Sequence, residues 1–177
     1  ALPFAPATSD IKWHFVNAEI KNSKNEIIFS LNKIEAPLSW STTAVEIAAS
    51  KYFRKSKEVS IRQLVIRVIE SIAKNSLKQR YFSRSESVSF SRELERIILQ
   101  QQAMFNSPVW FNCGLFDSYG LKSDVGLYAW DQKTKKIKFF ENGYERPQIS
   151  ACFIQSIEDN LESIFDFAKK EAKIFKY

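Results

Sequence analysis

Apolar residues recur at Ile61, Leu64, Val65, Val68, Ile69 and Ile72, which is the i, i+3, i+4, i+7 spacing of one face of an α-helix. Ser60 just before this run and Gln63 three positions on form a capping-box signature, so a helix is predicted over residues 60–73. A second stripe, Ala44, Val45, Ile47, Ala48 and Tyr52, predicts a helix over 41–53 with Ser41 as its N-cap and Lys51, Arg54 and Lys55 at its C-terminal dipole. Leu94, Ile97, Ile98 and Phe105 predict a third over 91–105, which must stop before Pro108. The fourth begins at the pair Asp159 and Glu162, with Leu161, Ile164, Phe165, Ala168, Ala172 and Phe175 on its face.

The remaining segments read as strands and irregular chain. LYAW and KIKFF flank the polar stretch 131–135 and predict a small hairpin. Residues 149–154 (ISACFI) are apolar enough for a strand buried on both faces, as in a parallel sheet, and a short turn leads from them into the fourth helix. Residues 1–38 hold Pro3, Pro6 and Pro37 and read as an arm with one short strand at 26–31. The domain organisation expected is an unassigned N-terminal arm over 1–39, a mostly helical domain with a small hairpin over 40–146, and the start of a second, α/β unit over 147–177. The last helix is still in period at Tyr177, and Ala1 stands in first place rather than Met, so the chain is expected to be part of a longer polypeptide.

Composition narrows the chemistry. An apolar content of 45% in 177 residues is enough for a core, which excludes a disordered or collagen-like chain. One His (His14) and two Cys (Cys113, Cys152) cannot build a four-ligand zinc site, and no metal ligand set is expected. Gly114, Gly120, Gly126 and Gly143 are too widely spaced for a dinucleotide fingerprint or a P-loop. No nucleophile elbow accompanies His14. Two cysteines make no secreted disulfide framework, and no signal sequence opens the chain, so a cytoplasmic setting is expected. No apolar run reaches the ~20 residues of a membrane span. The net charge of +6 is spread among acids and reads as a solvated basic surface; direct nucleic-acid binding is not expected.

Two segments can carry chemistry. Cys152 lies before a turn and a helix N-terminus, where ligands of α/β sheets collect and thiolate is favoured; a thiol packed as a small hydrophobe is the alternative. Residues 106–114 (NSPVWFNCG) make a proline-stiffened loop that leaves the Ser107 hydroxyl and Asn side chains free for a polar ligand, with turn-making and capping as the alternative.

Four motifs carry a resemblance. Residues 147–177, beginning PQISACFIQS, together with TAVEIAASKYFRK (43–55), FNSPVWFNCG (105–114) and ENGYERPQ (141–148), resemble in the same order the adenosylcobalamin-dependent, class II ribonucleotide reductases. The resemblance runs from about Trp40 to Tyr177, and residues 1–39 carry no motif that can be placed. It implies an α+β chain in which a mostly helical N-terminal domain is followed by the first strand and helix of a ten-stranded α/β barrel. It further implies conversion of ribonucleotides to 2′-deoxyribonucleotides by thiyl-radical chemistry. In that family two thiols supply two electrons and become a disulfide.

Carried over by residue, the resemblance makes Cys152 one of those thiols, with its partner outside this chain. Ala151 and Cys152 match the backbone along which substrate lies, and Ser107 matches a substrate-contacting hydroxyl. Cys113 receives no role. The implied partners are a ribonucleotide, the remainder of the reductase polypeptide, a thioredoxin-type reductant and a second copy in a homodimer, with adenosylcobalamin held by residues beyond this chain. A freestanding helical interaction protein on a reductase-like scaffold, without chemistry, is the competing expectation. A basic nucleic-acid-binding module is a third.

Overall fold

A computed structural model describes residues 8–176. After a single 3-10 turn at Thr8–Asp10, strands β1 (Trp13–Lys21) and β2 (Ile27–Pro37) form an antiparallel hairpin. Its inner face buries Val16, Ala18, Ile34 and Ala36. The register shifts between Val16 and Ala18; there Lys33 adopts φ 57° and donates its N–H to Asn17 Oδ1 at 2.9 Å. This bulge interrupts the period-2 alternation from which a strand is read in sequence. The hairpin therefore stands where one short strand at 26–31 was expected, and it is part of the core.

Helix α1 (Thr42–Lys51) is capped by Ser41, which accepts from the Ala44 N–H at 3.2 Å. Helix α2 (Ile61–Lys78) buries Ile61, Leu64, Val65, Val68 and Ile69 along the predicted stripe. Ser60 caps it by accepting from the Arg62 N–H. Gln63 reaches past Ser60 to accept from the Val59 N–H, so the pair does not close a reciprocal capping box. That box occurs instead at Ser83 and Glu86, which start α3 (Arg84–Leu99). The helix begins and ends earlier than the expected 91–105, because the box opens it on a polar first half that periodicity alone does not register. The Trp40 indole N–H donates to the Leu99 carbonyl at 2.8 Å and ties the end of α3 to the entry of α1. Hairpin, α1, α2 and α3 enclose one core.

Two short helices follow: α4 (Ser107–Asn112) and α5 (Leu115–Tyr119). Gly114 between them has φ +79°, and a Cβ there would lie 2.4 Å from the Arg67 carbonyl oxygen; only glycine fits this approach of two backbones. The second hairpin, β3 (Leu127–Asp131) with β4 (Lys136–Phe140), forms where expected. Tyr128, Trp130, Ile137 and Phe139 stand exposed on its outer face.

The architecture is α+β, with helices and two small antiparallel sheets. The strand expected at 149–154 is not formed: these residues are irregular and exposed. A strand needs a neighbour for its N–H and C=O groups, and among the described residues none lies alongside. The following helix, α6 (Leu161–Lys176), does form. Its first turn is held by Asn160 Oδ1, which accepts from the Ser163 N–H at 2.8 Å, rather than by Asp159.

Candidate functional site

Residues 107–112 are helical rather than a loop. Asn106 caps α4 by accepting from the Val109 N–H at 3.3 Å, and Pro108 sits in its first turn, where a missing N–H costs nothing. Ser107 is thus the first helical residue, solvent-exposed, with its Oγ 3.1 Å from the Tyr52 Oη at the end of α1. The Tyr52 ring lies against Phe111 at 5.2 Å and Trp110 at 6.5 Å between centroids. The Trp110 indole N–H donates to the Phe105 carbonyl at 2.9 Å, so the aromatic run braces its own helix.

The far end of α4 is held by a buried charge. Arg67 projects from α2 with its side chain 1% exposed and pairs through Nε with Glu58 at 2.7 Å. Its other nitrogens donate to the carbonyls of Cys113 and Trp110, and at 3.5 Å to that of Tyr52. Glu58 also accepts from the Arg54 N–H and from the Tyr119 hydroxyl at 2.9 Å. One ion pair, satisfied on both sides, therefore joins the end of α1, the middle of α2, the end of α4 and α5. Burial, with the negative charge of Glu58 added, pushes the Tyr119 phenol up to about 12. Burial also pushes the Cys113 thiol up, which favours its protonated form.

The segment carrying Ala151 and Cys152 is tied to α4 by one bond, from Asn112 Nδ2 to the Gln148 carbonyl at 2.9 Å. The Gln148 side chain accepts from the Ser150 N–H at 2.8 Å and turns the chain into residues 151–152. Beside this joint lies an open cleft of about 760 Å³, lined in part by Asn112, Gln148, Ser150, Phe153, Tyr128 and Lys173 of α6. Ala151 and Cys152 are exposed, and Cys152 is a free thiol. Ser107, Ala151 and Cys152 stand outside the cleft lining, although their neighbours Pro108 and Ser150 belong to it. No hydrogen bond among the described residues joins Ser107 to either of the other two; Asn112 makes the connection between the segments.

Sequence reasoning missed Tyr52 and Arg67, and left the Asn112 side chain free for a polar ligand, whereas it donates to the Gln148 carbonyl. Arg67 had a signal: it falls between Leu64 and Val68 within the apolar stripe of α2, where a charge must be paired to be tolerated. The contacts of Tyr52 and Asn112 had none, since they reach residues 55 and 36 positions away.

Residues 14–57 match the family model of class II vitamin B12-dependent ribonucleotide reductase. The match begins inside β1, within the stretch where no motif could be placed. The chain is 38% identical over 99% of its length to the vitamin B12-dependent ribonucleotide reductase of Rhodopirellula baltica. It is 31% identical over 99% to that of Agrobacterium fabrum, and 32% identical over 94% to that of Streptomyces coelicolor. It spans only 17%, 17% and 15% of the lengths of these relatives, respectively. The chain is thus similar over nearly its whole length to vitamin B12-dependent ribonucleotide reductases, and its residues 14–57 to the class II family model.

Proposed function

We propose that this chain supplies one redox-active thiol and part of the substrate site of an enzyme that reduces ribonucleotides to 2′-deoxyribonucleotides. The observation that carries the reading is the 38% identity over 99% of the chain to a relative named as a ribonucleotide reductase. The overall reaction balances with two thiols: ribonucleotide and two R–SH give deoxyribonucleotide, R–S–S–R and water. Cys152 is one of the two thiols, and its partner comes from elsewhere in the polypeptide. An exposed thiol on an irregular segment is free to approach both C2′ of the ribose and a second sulfur. Ser107 and the backbone at Ala151 and Cys152 contact the nucleotide, and α4 with the Asn112–Gln148 bond sets the spacing between them. A thioredoxin-type dithiol then reduces the disulfide in the cytoplasm.

The relatives are named as vitamin B12-dependent, and adenosylcobalamin, when bound, supplies the means of generating a thiyl radical on a different cysteine. The resemblance assigns the contacts to this cofactor to the rest of the polypeptide. There too, residues 149–154 gain the neighbours that would make them the first strand of the ten-stranded barrel.

Cys152→Ser in the full-length polypeptide tests the reading. Multiple turnover with a dithiol reductant should be abolished, because a hydroxyl cannot form the disulfide. Nucleotide binding and hydrogen exchange with the cofactor should survive. Steady turnover by the folded variant would remove Cys152 from the mechanism.

A further inference from the structure

The Ser107 hydroxyl does not stand alone, and its partner has the properties of a device that aims it. The Tyr52 Oη lies 3.1 Å from the Ser107 Oγ. The ring that carries it packs against Phe111 at 5.2 Å and Trp110 at 6.5 Å between centroids. Its backbone is fixed as well: the N–H closes α1 on the Ala48 carbonyl, and the carbonyl accepts from the buried Arg67. Such a phenol has one orientation to offer. A phenol is a far stronger acid than an alcohol, so the favoured arrangement has Tyr52 donating and Ser107 accepting. The Ser107 proton is then left to point away from Tyr52, and donation into its oxygen polarises the serine O–H.

We propose that Tyr52 is a positioning residue for the substrate site: it holds the Ser107 hydroxyl as a hydrogen-bond donor aimed at an acceptor oxygen of the nucleotide. This rests on the reading that Ser107 contacts substrate. The plainer role, a bolt between the end of α1 and the start of α4, predicts an effect on stability alone. Ser107 is exposed, so as a bolt the bond contributes little.

The test is a double-mutant cycle in the full-length polypeptide, with KM and kcat for the ribonucleotide measured in the presence of a dithiol. Tyr52→Phe keeps the ring and removes only the hydroxyl. It should raise KM by about 3- to 10-fold, the effect of one oriented hydrogen bond, while kcat and the melting temperature stay near their original values. In a Ser107→Ala background, Tyr52→Phe should have no further effect on KM, whereas in Ser107→Thr, which keeps a hydroxyl, the dependence on Tyr52 should persist. If Ser107→Ala raises KM but Tyr52→Phe does not, or if Tyr52→Phe costs the same factor with and without Ser107, the positioning role is overturned and the substrate contact stands. A Ser107→Ala variant with unchanged KM would remove the substrate contact and the positioning role together.

Discussion

Residues up to Leu115 and residues from Phe116 onward have been built by the same local rules with different outcomes. The first region contains every side chain that is buried among those described, from Val16 to Leu115; the second contains none. Yet the second region holds a regular hairpin and a 16-residue helix, α6, whose Leu161, Phe165 and Phe175 lie in solvent. Local pattern suffices to write a helix or a hairpin. Burial requires a second surface, which the first region carries within itself and the second does not. The segment bearing Cys152 lies on the second side of this divide, and the helix bearing Ser107 lies on the first.

The sharpest way to break the contrast is at the buried ion pair that anchors the first region. Arg67→Ala would leave Glu58 uncompensated in the interior and should cost about 3–5 kcal/mol in denaturant unfolding; a loss below about 1 kcal/mol would show that water reaches the pair. A matched pair of truncations then compares the two regions directly. Leu64→Ala in the core should cost roughly 2–5 kcal/mol, whereas Phe165→Ala on α6 should stay within about 0.5 kcal/mol. Equal losses would mean that α6 is packed after all.

The gentlest probe is pH. The Tyr119 pKa is raised in the folded chain from 10 to about 12, so its contribution to stability is complete below about pH 10 and disappears as the pH climbs through about 12. Ultraviolet titration should show a late-ionising component that vanishes in Tyr119→Phe. The same titration curve in the parent and in Tyr119→Phe at high pH would contradict the Glu58–Tyr119 contact.

What could be read from the residues followed the same divide between local and distant causes. The stripe of α2, the cap at Ser41 and the β3–β4 turn are set by neighbours a few positions apart, and all three formed. The β1–β2 hairpin was legible only as a fragment, because the bulge at Asn17 and Lys33 breaks the alternation that marks a strand. Residues 149–154 carried the pattern of a buried strand, but pattern cannot supply the pairing partner. At the candidate site, NSPVWFNCG and SACFIQS drew attention to Ser107 and Cys152, while Tyr52, Arg67 and Asn112, which make contacts around them, act across the fold. Their identities follow from the tertiary contacts, which one sequence does not display.

Gly114 has a consequence for what this chain can become. With the Arg67 carbonyl 2.4 Å from where a Cβ would sit, the junction of α2 with α4 and α5 has no room for a methyl group, and its positive φ closes the same door independently. Drift at this position is blocked twice, so descendants that keep the fold keep the glycine, and the spacing between the core and the serine helix is inherited as a fixed length.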